Sequence, residues 1–95
     1  MPEMRFRVTW PDGCTEQCYS PSTIVTEHFE PGAVYPLDQF VELARVALEA
    51  ANSRVRARFG MGCGQAMNQI IMIERTAARF AEMPGATVRV EGFTS

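Results

Sequence analysis

Met4-Arg5-Phe6-Arg7-Val8-Thr9-Trp10-Pro11-Asp12-Gly13 alternates apolar and polar side chains and then breaks into turn chemistry. Period two sends successive side chains to opposite faces, so Met4, Phe6, Val8 and Trp10 form the inner side of a half-buried strand. Proline presets φ, aspartate bonds its own backbone and glycine takes positive φ, so a three-residue hairpin loop follows. The return segment, residues 14–19, is polar on both faces and suits an edge strand. Next, Ser20-Pro21 reads as the N-cap and first position of a short helix with Ile24, Val25, His28 and Phe29 on one face. Glu30-Pro31-Gly32 stops it, and residues 33–35 run extended into Pro36.

From Leu37 the apolar step changes to three and four: Leu37, Phe40, Val41, Ala44, Leu48, Ala51, Val55 and Phe59 mark one helix face. Gly60 stands where a left-handed residue would end that helix. A second helix is expected over residues 63–82, with Cys63, Met67, Ile70, Ile73, Ala77 and Phe80 inward and Pro84-Gly85 ending it. Residues 87–93 read as a last strand, with Val88 and Val90 inward. The order is β-β-α-α-α-β in a single domain, residues 1–95. The expected fold class is α+β: a three-stranded sheet with an antiparallel helix hairpin on one face. Chain direction makes the last strand parallel to the first, which takes the centre as the most apolar. Alternatively the last strand pairs antiparallel to residues 14–19.

Composition narrows the function classes. An apolar share of 46% with 21% charged residues is globular, and a net charge of −2 offers no global attraction for nucleic acid or anionic lipid. No apolar run approaches the roughly twenty residues a membrane span needs. Glu3, Arg5 and Arg7 interrupt the first ten residues, so no signal-peptide core is expected, and the expected location is cytoplasmic. Three cysteines cannot all pair within one chain. Cys14 and Cys18, on one extended segment, would lie roughly 13 Å apart, too far for a disulfide. With His28 the one histidine and no lysine present, a multi-histidine metal centre and Schiff-base chemistry drop out. No metal and no cofactor are expected.

Four constellations remain, each with a bland reading beside it. Gly62, Cys63 and Gly64 precede a helix N-terminus, where free N–H groups favour anions, yet the glycines match no phosphate-loop fingerprint and suit a sharp helix–helix turn. Cys18 with His28 is a candidate nucleophile and base, against Cys18 as a small buried hydrophobe. Arg54, Arg56 and Arg58 form a basic run, but only Arg54 and Arg58 share a helix side, so nucleic acid is a weak partner. Glu74 falls about 40° from Ile70, inside the apolar arc, and a carboxylate there needs a partner. Arg45, one turn away across the hairpin, is the expected one, with His28 or Tyr35 the alternatives that would mark a ligand pocket.

The chain also resembles a small family of nitrogen-starvation response proteins encoded in bacterial clusters with a nitrilase, a radical-SAM protein, an acetyltransferase and a flavoprotein. The resemblance rests on Met1-Pro2-Glu3-Met4-Arg5-Phe6, Trp10-Pro11-Asp12-Gly13, Cys18-Tyr19-Ser20-Pro21-Ser22-Thr23, Tyr35-Pro36, Arg54-Val55-Arg56-Ala57-Arg58, Ile73-Glu74 and Val90-Glu91-Gly92-Phe93. It implies nitrogen scavenging, from nitriles or cyanide, and carries no catalytic residues to transfer. The leading expectation is an accessory or binding protein of such a pathway, acting on a small molecule or on the nitrilase or radical-SAM protein. A small cysteine-dependent enzyme using Cys18 is the alternative, and a nucleic-acid-binding regulator the third. A homodimer is open to a domain with one bare sheet face bearing Arg5, Arg7 and Arg89. A strictly monomeric light-scattering profile at high concentration would count against it.

Overall fold

Strands β1 (Met4–Thr9) and β2 (Thr15–Ser20) form the expected hairpin, Phe6 opposite Cys18 and Val8 opposite Glu16. Its loop closes as its residues dictate. Gly13 takes φ 88°, the Trp10 N–H donates to the Cys14 carbonyl at 2.8 Å, and the Cys14 N–H donates to the Asp12 carboxylate at 3.0 Å. That bond holds the exposed Asp12 carboxyl below the usual carboxylate range. This computed structural model describes residues 3–94. Met1 and Pro2 of the family resemblance, and Ser95 of the expected domain, lie outside the described residues.

The chain continues through a 3₁₀ turn (Thr23–Glu27), β3 (Val34–Pro36), α1 (Leu37–Phe59), α2 (Gly64–Ala78) and β4 (Thr87–Thr94). The sheet order is β2-β1-β4-β3, and every neighbouring pair is antiparallel. The three-stranded, three-helix expectation is therefore overturned: the fold is α+β with four antiparallel strands and two α-helices.

Residues 20–36 account for the difference. Ser22, rather than Ser20, caps the turn, its Oγ accepting from the Ile24 N–H at 3.1 Å, and the segment winds as a 3₁₀ turn, not an α-helix. Val34, Tyr35 and Pro36 then pair with Arg89, Val88 and Thr87. Pro36 donates nothing, which confines this strand to a sheet edge. The additional strand adds one reversal of direction, so β4 returns antiparallel to β1 instead of parallel. Nor does β4 pair with β2, which keeps the outer edge.

Between Arg7 and Val8 the β1–β4 register shifts: Arg7 faces Gly92 and Val8 faces Val90, leaving Glu91 as the extra residue of a bulge. Its carboxylate takes the Thr9 hydroxyl at 2.6 Å and pairs with Arg89 at 3.3 Å. Phe6, Val8, Cys18, Val88 and Val90 are fully buried against the helices, while Arg5, Arg7 and Arg89 stand on the opposite, uncovered face.

Helix α1 begins without a turn after β3, its first N–H donating to the Ala86 carbonyl at 3.0 Å. Leu37, Phe40, Ala44, Leu48 and Ala51 are buried as their spacing predicts. Phe59 is not, with 60% of its surface exposed. At about 1.5 Å per residue the helix runs roughly 35 Å, beyond the reach of strands about 20 Å long, so its last turns overhang the sheet. Helix α2 stops at Ala78, short of the expected residue 82, because the chain tightens. The Phe80, Ala81 and Met83 N–H groups donate to Ala77, Ala78 and Phe80 carbonyls.

Phe40 is enclosed by rings, stacked on Phe29 at 5.4 Å and edge-on to Trp10 at 5.6 Å. Phe40→Ala should cost about 3–5 kcal/mol by denaturant unfolding, because a cavity this enclosed cannot collapse. A loss under about 1 kcal/mol would show that the two layers do not meet there.

Candidate functional site

The turn between α1 and α2 sets the position of everything that follows. Gly60 takes φ 80° and its N–H donates to the Arg56 carbonyl at 2.8 Å, ending α1. Asn52, buried on α1, reaches over with its Oδ1 to accept the Cys63 N–H and with its Nδ2 toward the Met67 sulfur. A Cβ on Gly62 would lie 2.8 Å from that Asn52 oxygen, so only glycine passes there without displacing the latch. Cys63 itself is extended and offers no side-chain cap to α2, whose first turn contains no acidic residue.

Helix α2 turns Ala66, Gln69, Ile70, Ile73 and Ala77 inward. Against Ile70 these sit at about −40°, −100°, 0°, −60° and −20°, an arc centred near −45°. Gln69 belongs to that arc and is only 8% exposed. Its Oε1 accepts the Tyr19 N–H at 2.9 Å, a bond to the outer edge of β2. An N–H can be met there only by an acceptor, which fixes the amide's orientation. The Gln69 Nε2 is then left buried with no hydrogen-bond partner, a costly state for a donor.

A cleft of about 440 Å³ opens at this place, lined by Glu3, Arg5, Tyr19, Gln65, Asn68 and Gln69. Its volume lies within the range of small-molecule clefts, roughly 300–1,000 Å³. The Arg5 guanidinium rests over the Tyr19 ring at 6.0 Å and meets the Glu3 carboxylate at 3.6 Å, both side chains about half exposed. Such a pair is loosely held and open to exchange. Burial, then the neighbouring Cys63 thiol and Glu3 carboxylate, push the Tyr19 phenol up to about 12, so it stays a neutral donor at physiological pH. The cleft thus presents amides, a phenol and one charge of each sign, which is equipment for holding a polar molecule.

The residues singled out from the sequence fall in different places. The Cys63 thiol neighbours the Tyr19 phenol, Gly64 opens α2, and Gly62 serves the turn; none of the three lines the cleft. Cys18 is fully buried under the helices, and desolvation, followed by the Glu16 carboxylate, raises its thiol pKa well above normal. His28 ends the 3₁₀ turn with Nδ1 at 3.1 Å from the Ile24 carbonyl. A carbonyl only accepts, so Nδ1 bears the proton. No Cys18–His28 hydrogen bond forms among the described residues. Arg45 and Glu74 do pair, at 3.6 Å, with Glu42 a second partner of Arg45 at 2.9 Å. The expected burial of Glu74 is absent, since its side chain is 46% exposed. At about +40° from Ile70 it lies some 85° from the true centre of the arc. Tyr35 sits on β3, its hydroxyl accepting the Glu30 N–H at 3.0 Å and its ring edge-on to Phe29, away from that pair. Arg54, Arg56 and Arg58 occupy the exposed end of α1, with Arg58 over the Phe59 ring.

Gln69 is missing from the inward face expected of the second helix, which held Cys63, Met67, Ile70, Ile73, Ala77 and Phe80. A signal existed: Gln69 is three residues after Ala66 and four before Ile73, spacing that belongs to the buried stripe. Among the described residues no three histidine, cysteine or acidic side chains converge as a metal site would require. No helix of the described chain is long and apolar enough to cross a membrane.

The family model described as nitrogen starvation-induced protein NitG matches residues 5–93, which run from β1 into β4. No curated protein and no solved structure matches the chain.

Two measurements check this geometry. In a spectrophotometric titration the Tyr19 phenol should ionise near pH 12 rather than 10, and Glu3→Gln or Cys63→Ala should lower that midpoint. Because the folded value exceeds the unfolded one, Tyr19 stabilises the fold fully below pH 10, and that contribution is lost as pH rises through 12. Iodoacetamide should modify the exposed Cys14 and leave the buried Cys18 untouched until denaturant is added. Rapid labelling of Cys18 in the folded protein would contradict its placement.

Proposed function

This chain belongs to the NitG family of nitrogen starvation-induced proteins, and from that premise we propose that it works as a cytosolic, ligand-binding accessory protein. The observation that carries this reading is the polar cleft at the edge of β2, lined by side-chain amides, a phenol and one charge of each sign. The Tyr19 phenol in the cleft is held protonated, which suits holding a ligand better than attacking one. Cys18 argues against the cysteine-enzyme alternative, since its thiol is fully buried and both that burial and the nearby Glu16 carboxylate hold it protonated. The basic run at the end of α1 stands outside the cleft, which favours a small molecule over nucleic acid as its occupant.

Within the pathway the family resemblance suggests, assimilation of nitrile or cyanide nitrogen, such a protein would hold a small nitrogen compound for a nitrilase or radical-SAM partner. A screen of small polar nitrogen compounds by ¹⁵N-resolved NMR should find at least one that moves the Gln69 side-chain amide and the Tyr19 backbone amide together. Co-purification of a nitrilase or radical-SAM protein from nitrogen-starved cells would support the partner. A screen in which no compound moves either amide would end the ligand-binding reading.

A further inference from the structure

The outer side of the helix hairpin, turned away from the sheet, carries a pattern that the cleft does not explain. Asp38, Glu42, Arg45, Glu49 and Arg56 fall at about 140–200° from the buried Phe40, in one row along the outside of α1. Beside that row, Met67, Ile71 and Ala78 form an exposed stripe on α2, at about 60–100° from Ile70. Met67 leaves 43% of its surface in solvent and Ile71 leaves 50%.

Charge is divided along the same face. Residues 37–49 contain Asp38, Glu42 and Glu49 against Arg45 alone, while residues 50–73 contain Arg54, Arg56 and Arg58 and no carboxylate. Among the described residues Asp38, Glu49 and Arg56 have no ion pair. The base of the hairpin is therefore acidic and its tip basic, and such a face is complementary to itself when turned end for end.

The heights of the two helices agree with that reading. The Arg45–Glu74 and Asn52–Met67 contacts set Leu48 of α1 level with Ile71 of α2. Asp38 and Arg56 lie equally far to either side of Ala47, about 1.5 Å from that level. A two-fold axis crossing both helices there would bring Asp38 of one copy to Arg56 of the other and Glu49 to Arg45. It would also set Ile71 against its own copy at the centre. Taking α1 as roughly 35 Å long, α2 as roughly 22 Å and each as about 10 Å wide, this face would bury roughly 600 Å² per copy. The total of roughly 1,200 Å² stands at the lower end of stable interfaces.

We propose that the chain forms a homodimer through the outer side of its helix hairpin, the two hairpins antiparallel about a two-fold axis at Ile71. The sheets then lie outermost, and the assignment is independent of what the cleft holds.

Sedimentation velocity of the full chain over a concentration series should show a monomer–dimer equilibrium that weakens as salt is raised. Ile71→Glu should weaken dimerisation at least about tenfold, because it sets like charges together on the axis. Asp38→Arg and Arg56→Glu should each weaken it by a similar factor. Combined in one chain they should restore it, since the pairing is only exchanged, and that recovery separates lost pairing from lost folding. All three positions are exposed, so the fold of the monomer does not depend on them. A chain that stays monomeric at millimolar concentration overturns the proposal. So does a dimer indifferent to Ile71→Glu, which would join through another surface such as the bare sheet face. A double variant as weak as its single parents overturns it too.

Discussion

A chain of aromatic rings joins every layer of this small fold. Tyr35 of β3 meets Phe29 edge-on, Phe29 stacks on both Phe6 of β1 and Phe40 of α1, and Phe40 takes the edge of Trp10. Trp10 in turn stacks on Phe80, just past α2, at 6.2 Å. The Trp10 indole N–H is not wasted in that setting, since it donates to the Glu16 carboxylate at 2.9 Å. Large rings supply burial that a domain of 95 residues could not collect from aliphatic side chains alone.

That chain of rings also explains how the cleft is held. Trp10 and Phe80 pin the end of α2, and Asn52 latches its beginning at Cys63. Between two fixed ends the helix has no freedom to roll, so Gln69 is held against the edge of β2. The bond does structural duty as well, meeting an edge N–H that would otherwise face a passing strand.

The parts of the fold legible in the sequence were those governed by a single strong period. The β1–β2 hairpin follows from alternation broken by Pro11-Asp12-Gly13, and α1 has the predicted bounds, Leu37–Phe59, because its stripe and Gly60 agree. What was not legible depended on pairing at a distance. Val34–Pro36 has too few residues to show a period, and its identity as a strand comes from Arg89, Val88 and Thr87 opposite. One unrecognised reversal then inverted the direction of β4. Away from the cleft, the Arg45–Glu74 pair was legible through hairpin geometry, though its exposure was not. Gln69 was hidden because polarity was allowed to override position. Its inward angle is plain once the stripe is centred on Ile73 rather than Ile70.

The middle of the sheet is the pairing of β1 with β4, and the Thr9–Glu91 bond across it joins residues 82 positions apart. β1, made before both helices, therefore waits for β4, made after them. During synthesis the hairpin and both helices can form locally, but the two innermost strands cannot meet until β4 has cleared the ribosome. Until then Phe6 and Val8 border an open edge, a period of exposure that grows with slow translation. A cell short of nitrogen, and so of amino acids, would synthesise this chain under the condition that lengthens that wait.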